Sequence, residues 1–371
     1  MIDFDDALQP PAIIYAPGDD TRFAARHRQW QGIPTIERTA AGRLWAAWYS
    51  GGPGEGHENF VILSRSDDDG AVWSRPVLAI APDGYVRAYD PCLWIDPRGR
   101  LWLFWAQSFG QWDGRAGVWA IVCDKPDAAQ PVWAAPRRLT DGIMMNKPTV
   151  LRDGTWALCS AVWTIRPFTR IDAVPDVPAA NVRFWEQWAY PNLALSSNEG
   201  ETWRLERGPD VPQRSCDEHV LIERRDGSWW LLVRTRYGIG QSTSVDRGRT
   251  WAAGSDTGIG GPDSRFFIRR LRSGNLLLIN HHNFTGRSHL TASLSDDDGA
   301  TWRGHLLLDE RQRVSYPDAV ESGDGLLYAI YDFDRHGEKR IHMATFTEAD
   351  IAAGRAVTDG VRLRVPVDRA G

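Results

Sequence analysis

One phrase recurs six times along these 371 residues: an apolar, β-rich run, a tight polar turn carrying a glycine, and a second apolar run. Its copies are "GIPTIERTAAGRLWAAWYS", "YDPCLWIDPRGRLWLFWAQ", "NKPTVLRDGTWALCSAV", "EHVLIERRDGSWWLLVRT", "RFFIRRLRSGNLLLINHH" and "YPDAVESGDGLLYAIYD". The turn glycines, Gly42, Gly99, Gly154, Gly227, Gly274 and Gly325, are separated by 57, 55, 73, 47 and 51 residues. Apolar runs folded about such a turn form antiparallel hairpins. A period near 50 residues is the length of one four-stranded blade, and a lone blade cannot bury both of its faces. The pattern therefore predicts an all-β, six-bladed β-propeller of four-stranded antiparallel blades. Length alone would suggest about two domains. The repeat instead predicts a single domain over residues 1–371, with blades starting near 32, 89, 146, 217, 264 and 315.

A second phrase, Ser-x-Asp-x-Gly-x-x-Trp, recurs out of phase with the first. It ends at Trp73, Trp251 and Trp302, at Trp203 with Asn198 in the aspartate position, and in degenerate form at Trp133. A side chain bonding the turn backbone, a glycine taking positive φ and a tryptophan filling the space between sheets give it a structural role. "DDDG" does not read as a calcium loop, because no glutamate closes the twelve-residue spacing that such a loop needs.

Composition narrows the partners. A net charge of −5 and a pI near 6.0 offer no basic field for nucleic acid or an acidic membrane surface. Cys92, Cys123, Cys159 and Cys216 lack metal-ligand or disulfide-scaffold spacing and read as reduced core residues, and neither a cofactor nor a metal is expected. The acidic N-terminal stretch has no basic region followed by an apolar run, so no signal peptide is read. The expectation is a cytoplasmic protein, or a periplasmic or secreted one if a leader has been removed.

Each hairpin puts its first and last residues at the end away from the glycine turn, and in a propeller those six ends surround the channel mouth. The mouth positions are Gln31–Gly32, Tyr49, Tyr89–Asp90, Asn146–Lys147, Glu218–His219, Arg234, Ser264–Arg265, His281, Tyr316 and Asp332. The opposite ends carry ordinary turn residues. Many directional polar groups around one concavity suit a carbohydrate. Most of the 19 tryptophans are read as blade packing, and the remainder as faces for sugar rings.

With these repeats the chain, from about Arg28 to Phe346, resembles the sialidase superfamily, whose six-bladed propellers carry such Asp boxes. The resemblance implies Tyr316 in "SYPDA" as nucleophile, Glu218 in "CDEHVLIE" as the carboxylate that polarises it, and Arg234 and Arg287 as cations for a substrate carboxylate. It places the acid/base in "SGGPGEGHENF", with Glu55 nearest the family position, Glu58 second and Asp90 a third candidate that spacing does not separate. His219, Arg265, Asp332, Lys147, Asn146 and His281 complete the expected substrate-binding set. Gly32 stands where the family has its first arginine, so the carboxylate grip is expected to be incomplete. Arg26 or Arg28 would have to stand in, or the sugar is a uronic acid or a neutral deoxy sugar. A neutral phenol backed by a carboxylate can approach an anomeric carbon that bears a carboxylate without the repulsion an Asp or Glu would meet. The implied activity is exo-acting hydrolysis of a terminal, acidic sugar. Two readings stay open beside it: a lyase with His219 or His281 as base and Tyr316 as acid, and a non-catalytic glycan-binding propeller.

Overall fold

The computed structural model describes residues 3–19, 21–110, 115–163 and 186–371. Its strands fall into six antiparallel sheets arranged as blades, with the short helix Glu348–Ala353 and a few 3-10 turns beside them. The first strands of blades 1 to 6 are Trp30–Arg38, Val86–Ile95, Thr149–Val150, Val220–Glu223, Phe267–Arg270 and Val314–Glu321. Each pairs with the next strand across a predicted glycine turn, and in blade 4 Val220 faces Leu232 and Glu223 faces Trp229. Blade 1 gains a fifth, outermost strand, Ala12–Tyr15, on Leu78–Ala81.

The Ser-x-Asp turns repeat one geometry. Ser66, Ser196, Ser244 and Ser295 each accept from the box glycine's N–H at 2.8–2.9 Å and donate to the Asp or Asn two residues on at 2.7–2.9 Å. The glycine's bare Cα then permits close approach to a preceding blade: a Cβ on Gly200 would meet Trp102, and one on Gly299 would meet Trp230. Trp73, Trp203, Trp251 and Trp302 pack partly buried between neighbouring sheets, and Trp133 meets Trp45 edge-on at 6.1 Å. Among the described residues eleven tryptophans lie in the buried core, so packing is their main use.

Blades 6 and 1 exchange no strand, and their seam closes through side chains. Arg28 bonds both carboxylate oxygens of Asp368 at 2.9 and 3.0 Å, and Gln31 donates to the Lys339 carbonyl at 2.7 Å. Asp318 accepts from the Thr35 hydroxyl at 2.6 Å and the Ile36 N–H at 2.9 Å. Two buried cations link several blades. Lys147 reaches the carbonyls of Ile36 and Leu93 and pairs with Glu37 and Asp318, while Arg265 reaches those of Met145, Pro34, Tyr316 and Pro317.

Candidate active site

Three first strands carry a register shift at the mouth, and each shift contains a residue with left-handed backbone followed by proline: Ile33 (φ 56°), Asp90 (φ 48°) and Tyr316 (φ 55°). Glu218 (φ 40°) ends a left-handed run with Cys216 and Asp217 just before the first strand of blade 4. All four stand nine residues before their turn glycine, as does Arg265. One backbone address therefore delivers several chemistry-bearing side chains to a common space. Non-glycine residues held at positive φ cost about 1–3 kcal/mol each, a cost the surrounding structure must offset.

Glu218 and Arg234 meet directly across the mouth of the blade 4 hairpin. Arg234 Nη1 donates to Glu218 Oε1 at 2.6 Å and to the Tyr316 hydroxyl oxygen at 3.3 Å, and that hydroxyl in turn lies 3.4 Å from the same Oε1. Arg234 is further held by Asp263, whose carboxylate accepts from Nε at 2.6 Å and whose carbonyl accepts from Nη2 at 3.1 Å. Arg287 donates to that same carbonyl at 2.9 Å. Glu218 Oε2 and Asp90 Oδ1 are buried without a hydrogen-bond partner among the described residues. Buried polar atoms are normally paired, so both oxygens keep acceptor capacity that the protein itself does not use.

Cations crowd the phenol. The guanidinium carbons of Arg335, Arg287 and Arg265 lie 5.0, 5.1 and 5.7 Å from the centre of the Tyr316 ring. Burial, and then the charge of Glu218, push this phenol up to about 12, while Arg234, Arg287 and Arg335 oppose them. Burial raises the Asp90 carboxyl well above its ordinary value, Glu55 and Glu218 adding to the rise and Arg87 and Arg265 opposing it. Nearby Arg87, itself buried, lies 4.0 Å from the Tyr89 ring centre.

The loop that joins the second and third strands of blade 1 is pinned by Asn59, which accepts from Gly56 N–H and donates to the Gly54 carbonyl. Glu55 points from it to Arg335, with Nη1 to Oε1 at 3.0 Å. Glu58 instead folds back over Gly52, where an added Cβ would overlap its carboxylate.

The remaining candidates are engaged elsewhere. Asn146 donates to the carbonyls of Glu218 and His219, supporting the segment that carries Glu218. His219 and His281 bond the carbonyls of Asn192 and Val314 through Nε2, and burial brings both down to about 4, so they are neutral. Lys147 and Arg265 are committed to the backbone carbonyls described above. Asp332 accepts from Ile33 N–H at 2.9 Å and Ser315 at 2.7 Å, anchoring the blade 1 bulge to blade 6.

Arg26 and Arg28 do not stand in for the missing strand arginine. Arg28 is buried and neutralised by Asp368, and Arg26 is exposed on the turn Ala25–His27. The space beside Gly32 is filled instead by Arg335, whose Cδ a Cβ at Gly32 would overlap. Arg335, Asp263 and Arg87 were not singled out by the sequence reading. The glycine itself was the available signal, since a missing side chain in a packed mouth must be filled by a neighbour.

The BNR repeat-like domain family matches residues 42–329. A sialidase of Bacteroides fragilis (strain YCH46) is 24% identical over 336 residues, and the match covers 81% of this chain and 58% of that protein's length. The leech intramolecular trans-sialidase, solved with 2,7-anhydro-Neu5Ac, superposes with a TM-score of 0.65 at 12% identity, over 94% of this chain and 71% of that one. The intramolecular trans-sialidase of Ruminococcus gnavus, solved with oseltamivir carboxylate, gives 0.65 at 14% identity, over 92% and 98% of the two chains. An α-L-arabinanase of Penicillium chrysogenum, solved with arabinobiose, gives 0.57 at 14% identity, over 91% and 98%. The structural likenesses are of fold, and the family match spans well over half of the residues. This six-bladed propeller with its Ser-x-Asp turns belongs to the BNR repeat-like domain family.

Proposed function

We propose that the protein is an exo-acting glycoside hydrolase that releases a terminal, acidic sugar from a glycan. The observation that carries this reading is the shared use of Glu218 Oε1 by Arg234 and the Tyr316 hydroxyl inside a group of arginines. A phenol is a weak nucleophile, and Glu218 is positioned to take its proton as Tyr316 attacks the anomeric carbon. Arg234 and Arg287 bind the sugar's carboxylate. Glu55, at the rim with 43% of its side chain exposed, protonates the departing oxygen and later activates the water that cleaves the glycosyl–tyrosine bond. Asp90, buried and with an unpartnered Oδ1, is suited to hydrogen-bond a sugar hydroxyl.

The lyase alternative needs His219 or His281 as base, yet each has one ring nitrogen committed to a backbone carbonyl and is almost fully buried. The hydrolase reading is preferred for that reason. Turnover of a panel of aryl glycosides of acidic sugars tests it. The expected product is a reducing sugar, made by wild type and absent for Tyr316→Phe, whose melting temperature should be near wild type. An unsaturated, ultraviolet-absorbing product would establish elimination, and an intact glycan bound without turnover would establish a lectin.

A further inference from the structure

Arg335 follows the last hairpin in sequence but occupies the space beside Gly32, so it stands with Arg234 and Arg287 around Tyr316. Its hold on its neighbours is partial. Nη1 donates to Glu55, Nε lies 3.8 Å from Asp332 Oδ2, and Nη2 has no hydrogen-bond partner among the described residues. Arg287 has no carboxylate within ion-pair distance among the described residues, its donated bond going to a backbone carbonyl. Two arginines of the mouth therefore keep unused donors, while the one carboxylate that Arg335 grips closely sits on a partly exposed loop rich in glycine.

We propose that Arg335 completes the anion site in place of the absent strand arginine, and that the carboxylate of an incoming sugar displaces Glu55 from it. This rests on the acidic-sugar reading given above. Glu55 faces Arg335 from the end of blade 6, Arg87 and Asp90 from blade 2, Tyr49 from blade 1 and Arg287 from blade 5. Desolvation by the surrounding mouth residues pushes its carboxyl up although part of the side chain meets solvent, but Arg335, Arg87, a hydrogen bond from Tyr49 and Arg287 together hold it below its ordinary range. In that state Glu55 is ionised and cannot act as an acid. An arriving carboxylate engages Arg335 and adds negative charge close by, and both changes raise Glu55. Glu55 then takes one proton from solvent, the proton later delivered to the leaving oxygen. Binding of the anion thus makes the acid. A neutral sugar leaves the Arg335–Glu55 pair intact and Glu55 ionised, so selection for acidic sugars acts on the protonation step as well as on affinity.

The test is calorimetric and needs no turnover. A didehydro sialic acid and D-glucuronic acid serve as probes, titrated near pH 6 into the whole chain in buffers of different ionisation enthalpy. The expected result is uptake of about half a proton or more per probe bound, with affinity rising as pH falls. Glu55→Gln should bind the same probe at least as tightly with no proton uptake, because the competing carboxylate is gone. Arg335→Met should bind about 10–100-fold more weakly, and Arg335→Lys should recover part of that loss. Failure of both probes to bind at millimolar concentration, binding without proton uptake, or an unchanged affinity in Arg335→Met would overturn the proposal. If Arg335→Met does not fold, the Glu55→Gln result decides alone. Turnover of neutral aryl glycosides without binding of either probe would remove Arg335 from the site and leave the Tyr316 chemistry standing. Proton-linked binding without turnover of any aryl glycoside would do the reverse.

Discussion

Replacing Glu218 by Gln keeps the shape of the side chain and removes its charge, and the geometry sizes the two consequences separately. Folding should suffer little. Arg234 retains the Asp263 carboxylate at 2.6 Å and its carbonyl at 3.1 Å, and a glutamine oxygen can still accept from Nη1. What is lost is the charge assistance of one hydrogen bond, about 1–2 kcal/mol. Catalysis should suffer much more. The Tyr316 phenol, pushed up to about 12, loses the carboxylate that lies 3.4 Å away and that we propose takes its proton. A general base contributes about 10²–10⁴-fold, or about 3–5 kcal/mol of barrier. Glu218→Gln should therefore lower kcat/KM by about two to four decades, with only a modest fall in Tm on the same preparation. The assay is turnover of whichever acidic aryl glycoside the wild type handles best, for Glu218→Gln, Tyr316→Phe and the double variant. If the two residues form one nucleophile, the double variant is about as slow as Tyr316→Phe alone. Losses that multiply in the double variant, or near-normal kcat/KM in Glu218→Gln, would refute the reasoning.

Other perturbations have equally definite outcomes. Arg234→Met leaves the buried Glu218 without its cation and should cost about 3–5 kcal/mol of stability in urea unfolding, much of it recovered when Glu218→Gln is added. Gly32→Ala, at a backbone conformation open to any residue, should fold normally but push Arg335 aside, weakening binding of carboxylate sugars by about tenfold or more; unchanged binding would count against Arg335. Asp90, raised by burial and by Glu55 and Glu218, contributes stability that is full below about pH 4 and is lost as pH rises toward its folded value. Asp90→Asn escapes that loss, so its Tm advantage over wild type should be absent near pH 4 and grow toward pH 8.

The fold was legible because hairpin turns and Ser-x-Asp turns are local chemistry repeated in register, and repetition turns weak signals into phase. The same phase brought Glu218, Arg234 and Tyr316 to one list, and the structure brings those three side chains within bonding distance of one another. Phase gives the end of the blade on which a residue stands, not the direction in which its side chain points. Lys147 and Arg265 occupy strand starts like Glu218, yet run inward to carbonyls of other blades, a choice set by the closed ring and visible only in three dimensions. Asp263 and Arg335 lie on connections with no periodicity to place them. Glu55 and Glu58, three residues apart on one loop, part company because Asn59 fixes the loop's course, a tertiary fact that spacing does not carry.

The address nine residues before each turn glycine bears on how such a ring diversifies. Isoleucine, aspartate, glutamate, arginine and tyrosine occupy it in five blades, and four of the five hold the same unusual backbone. At Asp90, Glu218 and Tyr316 an exchanged side chain changes the groups presented at the mouth, whereas at Arg265 it would also cut bonds to the carbonyls of Met145, Pro34, Tyr316 and Pro317. Glycine would relax the four left-handed positions and remove their side chains, so the stability of the blades has to offset the strain of every such position that is kept.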